Sequence, residues 1–169
     1  MKKHKAKKHA KKNKGFSLIE LLIVVAIILI IAAIAIPNLL RSRIAANEAS
    51  AVGSVRTLNT AEVTFNTTYP TVGFTTLANL GPVTGGGSPT STAAGLIDAN
   101  LASGTKSGYT FTVTPNNATP ATDYQSAAAP VTPGTTGQRY FCSDSSGVIQ
   151  YNATQATGAT CAGGANTPI

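Results

Sequence analysis

Hydrophobic and polar positions divide the chain into three stretches. Between Phe16 and Ile36 there are 21 residues, of which only Ser17 and Glu20 are polar. A helix of that length spans about 30 Å, which matches the core of a bilayer. This run therefore predicts a membrane-spanning helix.

The apolar residues after Pro37 recur at helical spacing. Six of them fall within an arc of about 80° at ~100° per residue: Leu40, Ile44, Ala51, Val55, Leu58 and Phe65. Four polar residues lie largely elsewhere: Arg41, Arg43, Asn47 and Asn59. The pattern predicts one helix from about Ser17 to Thr67, whose second half is amphipathic and packs against a soluble domain.

Three residues interrupt the regularity of this helix. Pro37 lacks the N–H that the preceding turn needs, which predicts a kink or a loosened turn near it. Gly53 costs about 1 kcal/mol relative to Ala, and it either permits close packing or weakens the helix. Glu62 falls within the apolar arc, and we expect it to mark the edge of that arc.

The third stretch follows Tyr69 and Pro70 and is rich in Gly, Ser, Thr, Ala, Pro and Asn. It predicts loops, a turn of helix near Ala94 to Ala102, and then short strands. The strand candidates are Tyr109–Pro115, the weaker Asp123–Pro130, and two extended runs around a Ser-Ser-Gly turn within Gln138–Ala153. Three to four antiparallel strands would cover the apolar face of the helix, which gives an α+β fold with a small antiparallel sheet.

The predicted organisation has four parts. Residues 1–15 are a basic segment, residues 16–37 the apolar half of the helix, residues 38–68 its amphipathic half, and residues 69–169 a β-rich globular region. Eight of the thirteen Lys and Arg residues lie in the basic segment, so the remainder carries five basic and six acidic side chains, 5 − 6 = −1. The formal charge of +7 is therefore a property of the N-terminal segment alone.

The lysine cluster has two interpretations. Such a run by itself is typical of a solvated or nucleic-acid-binding arm. Beside an apolar run, the cluster resists translocation and holds its flank on the cytoplasmic side of the membrane. We interpret it as an orientation signal and predict no specific nucleic-acid site.

Glu20 separates two interpretations of the apolar run. A cleaved secretory signal would also show a basic region and an apolar region, and Ala33-Ile34-Ala35 offers a small-residue cleavage site. A carboxylate in the apolar region, however, costs about 2.5 to 3.5 kcal/mol on insertion, so it requires a partner or a function. A secretory signal has little reason to carry it.

The stretch KGFSLIELLIVVAIILIIAAIAIPNLL closely resembles the N-terminal signature of type IV pilins and the related pseudopilins. The shared features are the basic leader, Gly15, Phe16, a Glu at the fifth position counted from Phe16, the apolar run and Pro37. The resemblance is strong over residues 14–44. It implies that a prepilin peptidase cuts between Gly15 and Phe16 on the cytoplasmic face, removing residues 1–15, and that the new Phe16 amine is methylated.

The resemblance also implies a role for Glu20. Cleavage creates a cationic amine at Phe16, and a carboxylate in an apolar phase is less costly when it is paired with a cation. Glu20 of one subunit would meet the Phe16 amine of a neighbour and set the register of two apolar helices. The alternative is that Glu20 pairs within its own subunit or reaches the lipid headgroups.

Cys142 and Cys161 both lie in the region predicted to face outside the cytoplasm. Pairing is favoured in an oxidising compartment, and it would close a loop of 161 − 142 − 1 = 18 intervening residues, worth about 3 kcal/mol. Such a loop also resembles the C-terminal disulfide loop of many type IV pilins. Two free structural thiols are the alternative.

Little in the sequence indicates an enzyme or a cofactor. His4 and His9 are both in the leader, no Gly-rich phosphate loop with a lysine occurs, and two thiols without a histidine are a poor metal site. Asp144 with Ser143 and Ser145 suggests a calcium loop, but too few carboxylates gather there for a site. We expect no catalytic residues, no cofactor and no metal.

Three functions remain. The first is a structural subunit of a type IV pilus, serving adhesion, motility or DNA uptake, held in the inner membrane with its N-terminus cytoplasmic before it enters the extracellular filament. Its partners would be further copies of itself, the prepilin peptidase, the pilus assembly machinery and the membrane. The second is a pseudopilin of a type II secretion system, and the third is a membrane-anchored enzyme or binding module.

Overall fold

The computed structural model describes residues 15–153 and 167–169. The chain divides into two compact units, and the boundary along the sequence lies between Leu39 and Leu40. Two helices and six strands follow in chain order: α1 Leu18–Thr68, α2 Ala99–Ala102, β1 Thr105–Lys106, β2 Tyr109–Pro115, β3 Tyr124–Pro130, β4 Tyr140–Asp144, β5 Gln150–Asn152 and β6 Thr167–Pro168. A single 3-10 turn, Thr84–Gly86, interrupts the long loop before α2.

The long helix predicted from about Ser17 to Thr67 is confirmed as α1, with each end displaced by one residue. It continues through Pro37, and a kink there stays a prediction. The helix ends beside Pro70, which disfavours helical backbone in the residue before it. Near this end, four threonine hydroxyls donate to the carbonyls four residues earlier: Thr57, Thr60, Thr64 and Thr68.

The six strands form one antiparallel sheet in which every strand pairs with its neighbour along the chain. The predicted strand Tyr109–Pro115 is confirmed with the same bounds, and the weaker candidate is confirmed as β3. The two predicted runs within residues 138–153 are β4 and β5, and Gly147 in the turn between them has a φ of 74°. The two-residue strands β1 and β6 extend the sheet beyond the three to four strands predicted.

The second half of α1 and the sheet enclose the core. In β2, alternate side chains are buried, and the same holds for β3, so one face of the sheet meets the helix. The most deeply buried core side chains come from α1, the loop after it, α2 and the sheet: Ala51, Val55, Leu58, Phe65, Leu80, Leu101, Tyr109, Phe111, Tyr124, Ala128 and Phe141. This arrangement confirms the predicted α+β fold class.

Two glycines differ in how closely the rest of the chain surrounds them. Gly73 has a φ of 82°, and a Cβ there would collide with the backbone of Ala121, with which it forms a bridge. Gly53 in α1 behaves differently, because nothing lies within 4 Å of a Cβ built on it. Within the folded subunit, Gly53 is therefore not a site of close packing.

Two details of the predicted apolar arc are wrong. Leu40 is 43% exposed and does not join the core, because it lies at the very start of the folded unit. Glu62 is 0% exposed and does not mark the edge of the arc. It lies in the middle of the buried face, since its helical angle equals that of Ile44 at ~100° per residue.

Glu62 is a buried carboxyl group without a cationic partner among the described residues. Its Oε2 accepts a hydrogen bond from the backbone N–H of Thr75 at 3.1 Å, whereas its Oε1 is buried with no hydrogen-bond partner there. Burial raises the pKa of Glu62 to about 7, against a smaller lowering effect of the Thr75 N–H. The core therefore favours the neutral acid.

Cys142 lies in β4, where it is paired with Ala127 of β3 and Gln150 of β5. Phe141 and Ser143, its neighbours in the strand, are buried towards the helix, so the Cys142 side chain is directed to the opposite face of the sheet. Cys161 lies outside the described residues. The disulfide between the two stays a prediction.

Stability should fall as the pH rises from about 4.5 to about 7, because the folded pKa of Glu62 lies above its unfolded value of 4.5. Its protonated form is favoured by folding, so this contribution is complete below the unfolded pKa and is lost above the folded pKa. The difference is on the order of 3 kcal/mol. Urea unfolding of the full chain in detergent, followed by tyrosine near-ultraviolet circular dichroism, should show this slope in the wild type and not in Glu62→Gln. Parallel pH profiles would contradict it.

The predicted disulfide has two measurable consequences. Alkylation of denatured, unreduced protein should label neither Cys142 nor Cys161, and reduction should expose both. Cys142→Ser should lower the free energy of unfolding by about 2 to 5 kcal/mol, as in other small exported domains. Labelling of both thiols before reduction would show that the pairing is wrong.

Candidate functional site

The predicted cleavage site lies just before the long helix, outside any helix or strand. Gly15 and Phe16 are both exposed, and Phe16 is 78% exposed. Nothing lies within 4 Å of a Cβ built on Gly15, so the described structure leaves open space around this residue. A protease that needs an accessible, unstructured peptide would find one at this bond.

Ser17 and Glu20 form the start of α1 together. The carbonyl of Ser17 accepts the N–H of Leu21 at 3.2 Å, which makes Ser17 the N-cap residue. The backbone N–H of Ser17 in turn donates to Oε2 of Glu20 at 3.4 Å. A glutamate three residues after the N-cap is one half of a capping box, and its charge also suits the positive end of the helix dipole.

This contact gives Glu20 a local role in helix capping that is absent from the predictions above, although the Ser-x-x-Glu spacing is a known signal for it. It agrees with part of the alternative interpretation, in which Glu20 contacts its own subunit. The contact is long and neutralises no charge, since within residues 15–153 and 167–169 no cationic group lies within 4 Å of Glu20. The need for a cation therefore remains.

The apolar half of α1 is exposed along its length. Mean hydropathy reaches 3.3 in an 18-residue window, and none of that window is buried. This helix passes the length and composition test for a membrane span, and its exposure separates it from the core helix of a soluble protein. Pro37 lies at the end of this apolar half. Of the predicted site residues, Gly15, Phe16, Glu20 and Pro37 thus share one segment, while Cys142 is in β4.

A second polar cluster lies at the opposite end of the amphipathic half from Glu62. Glu48 is buried and accepts hydrogen bonds from the N–H groups of Gln138 and Arg139, at 2.9 and 3.1 Å. The Arg139 guanidinium contacts Oε2 of Glu48 at 2.7 Å and lies over the rings of Phe141 and Tyr151. Although burial opposes it, these hydrogen bonds and the guanidinium charge lower the pKa of Glu48.

Asn59 connects the helix to the sheet in the same way. Its amide group donates to the Ser143 hydroxyl at 2.8 Å, and its carbonyl oxygen accepts from the Tyr124 hydroxyl at 3.1 Å. Burial raises the pKa of Tyr124 to about 12, so that this hydroxyl stays a donor. The hydrophobic pattern places Asn59 away from the apolar arc and predicts no role for Glu48. The helical angles of Glu48 and Asn59 lie only about 20° to 40° beyond the apolar arc, which could have indicated that both side chains reach the sheet.

Ser143 and Asp144, which were considered for a calcium loop, make hydrogen bonds within the β4–β5 connection. The Ser143 hydroxyl donates to the carbonyl of Val148 at 3.0 Å, within the β4–β5 connection. Asp144 accepts the N–H of Ser146 at 2.9 Å. Within the described parts of the chain, no group of three or more His, Cys, Asp or Glu side chains is placed to hold a metal ion.

Comparison with known proteins gives matches to the N-terminal region. The family described as "Prokaryotic N-terminal methylation motif" matches residues 10–36. The type IV major pilin protein PilA of Myxococcus xanthus is 48% identical over 54 residues, which are 32% of this chain and 24% of that protein. The type IV wide pilus major component PilA4 of Thermus thermophilus is 69% identical over 35 residues, 21% of this chain and 27% of that protein.

The matched segment is a small part of this chain and of each relative. This chain spans about a quarter of the length of each of these two relatives. No solved structure matches the chain significantly. The methylation motif covers the Gly15–Phe16 bond, Glu20 and the apolar run. From Leu18 onwards this run is an exposed helix. Over this N-terminal segment, the chain is similar to type IV pilins and carries the prokaryotic N-terminal methylation motif.

Proposed function

We propose that the chain is a structural subunit of a type IV pilus filament, and that it serves adhesion, motility or DNA uptake through that filament. Before assembly it is held in the inner membrane as a single-pass protein with its N-terminus in the cytoplasm. The observation that carries the proposal is an exposed apolar helix, preceded by the methylation motif and continuous with a folded α+β unit.

The apolar half of α1 cannot remain exposed to water. Its large side chains, from Leu18 to Ile36, are about half exposed or more, and burying the exposed part of each would contribute about 1 to 2 kcal/mol. Lipid covers this surface before assembly, and the corresponding helices of neighbouring subunits cover it in a filament. The same helix therefore serves as anchor and as assembly surface.

Processing prepares the helix for assembly. Cleavage after Gly15 removes the lysine cluster, and with it the charge that holds the N-terminus in the cytoplasm. The new Phe16 amine lies one residue from the Ser17 N-cap. In the filament this amine meets Glu20 of a neighbouring subunit and supplies the cation that the described residues of the subunit itself do not offer.

A pseudopilin of a type II secretion system shares this N-terminal segment and is the second candidate. The two functions differ in where the filament ends, because a pseudopilus stays short and periplasmic. Electron microscopy of material sheared from the cell surface separates them. Long filaments that contain this chain support the pilus, and their absence, with mature subunit in the envelope, supports the pseudopilus.

The first prediction of the proposal concerns the mature N-terminus. Intact mass spectrometry of the mature protein should give a chain that starts at N-methylated Phe16, because the cut falls where the basic leader meets the apolar run. A chain that starts at Ile36 would support a secretory signal instead. Retention of residues 2–15 would support a membrane-anchored enzyme or binding module.

The second prediction separates the two roles of Glu20. Glu20→Gln removes the charge but keeps an oxygen that can accept the Ser17 N–H, since glutamine also serves in capping boxes. The subunit should insert, at lower cost than the wild type, and should be cleaved. It should then accumulate in the inner membrane, with little or no protein in the sheared filament fraction, as measured by immunoblot of the two fractions.

The matched control for this experiment is Ser17→Ala. It removes a hydroxyl group from the N-cap and leaves the backbone N–H that Glu20 accepts. Filament yield in this variant should stay near that of the wild type. A normal yield from Glu20→Gln would mean that the acid has only its local role and that the pairing between subunits is wrong.

A further inference from the structure

In the folded unit from Leu40 onwards, some charged side chains form ion pairs and others do not. Lys106 contacts Asp98 at 3.0 Å, and Arg139 contacts Glu48. Three arginines of α1 have no acidic group within 4 Å among the described residues: Arg41, Arg43 and Arg56. The half-exposed carboxylates of Asp123 and Asp144 likewise have no cationic group within that distance in the described chain.

The unpaired positive charge borders a cleft near the start of this unit. The cleft has a volume of about 270 Å³, and it is lined by Arg41, Ile44, Ala45, Glu48, Gln138 and Arg139. Two guanidinium groups and one carboxylate give it a net charge of +1. Arg139 is held in place by Glu48 and still has 44% of its side chain exposed, so it can accept a further anionic partner.

The unpaired negative charge lies at the turn between β4 and β5. Asp144 accepts the N–H of Ser146 with one carboxylate oxygen and the N–H of Gly147 with its carbonyl, which fixes the turn. Val148, in the same turn, is 44% exposed. Asp123 is near, because it lies two residues before Gln125, the partner of Asp144 in the sheet. The turn thus presents a carboxylate beside an exposed apolar side chain.

The cleft and the turn lie at opposite ends of the unit. Glu48 contacts the residues that precede β4, whereas Asn59 contacts Ser143 and the Gly147 carbonyl beyond it. Strand β4 therefore runs in the same direction as α1. Arg41 and Asn59 are 18 positions apart, about 27 Å at 1.5 Å per residue. The Asp144 turn cannot reach the cleft of its own chain, but it can reach that of a second copy.

We propose that the cleft receives the Asp144–Val148 turn of a second copy of this chain. Asp144 pairs with Arg41 and with the exposed part of Arg139, and Val148 contacts Ile44 and Ala45. A contact between opposite ends of one subunit is heterologous, and repeated without closure it generates an open helical filament. The contact rests on the proposed filament function, and it orients each subunit through its folded unit, independently of the apolar helices.

A charge-reversal cycle in cells that assemble the filament tests this contact. The variants are Arg41→Glu, Asp144→Lys and the double variant that carries both. The measured quantity is the amount of subunit in the sheared fraction relative to the membrane fraction. Each single reversal places like charges together and should lower this ratio at least about tenfold. The double variant restores an opposite pair and should return the ratio to within about threefold of the wild type.

Two controls address misfolding. Asp144→Lys loses the turn contact to Ser146, and damage of that kind would not be rescued by a change at Arg41. Arg56→Glu is the same substitution on the same helix, but Arg56 does not line the cleft, so its ratio should equal that of the wild type. Subunit in the membrane fraction at the wild-type level shows that each variant is made and inserted, and rescue by the double variant shows that the single variants are not misfolded.

Two results would overturn the contact: single reversals that leave the ratio unchanged, or single defects that the double variant does not rescue. The strain used must form filaments with the wild-type subunit and none with the Glu20→Gln subunit. In such a strain, either result overturns the contact and leaves the proposed function intact. A wild-type subunit that forms no filament would remove both the function and the contact.

Discussion

One helix of this protein has to meet two different environments, and the rest of the molecule depends on that constraint. Its second half is covered by a sheet of the same chain, which buries Val55, Leu58 and Phe65 completely. The first half is apolar on all sides apart from Ser17 and Glu20, and nothing in the described chain covers it. Burial favours association at about 25 cal/mol per Å², so this half requires lipid or other protein. Insertion into a membrane and assembly with other subunits would each bury this apolar surface.

Three glutamates on this helix show how the environment decides what a carboxylate does. Glu48 lies against Arg139 and two backbone N–H groups, and these lower its pKa although the residue is buried. Glu62 has one backbone donor and no cation, and burial raises its pKa. Glu20 caps its helix through a single long hydrogen bond. Glu48 is held in an ion pair and Glu62 is favoured as a neutral acid. In the proposed filament, a neighbouring subunit would supply the cation that Glu20 lacks among the described residues.

The similarity to known pilins is limited to the N-terminal segment and gives no information on the rest of the fold. The matches end within the helix, and the PilA relative is covered over only 24% of its length. The sheet, the long loop and the Glu48 cluster are therefore interpreted from their own contacts. These contacts join α1 to β3 and β4 through Glu48 and Asn59, so that the two ends of the folded unit have a fixed separation and opposite charge.

Local patterns in the sequence determined the helix, the four longer strands and the processing motif, because each depends on neighbours within a few residues. Hydrophobic spacing located α1 to within one residue at each end, and alternation located β2 without error. The sequence alone did not place Glu62 in the core or connect Glu48 with Arg139, which is 91 positions away. Helical spacing gives the direction of a side chain, but not which partner lies there. A charged residue on the apolar face can mark the edge of that face, form an ion pair or be buried as a neutral acid. Only the tertiary structure decides among these, because it determines whether a cationic group lies beside the side chain.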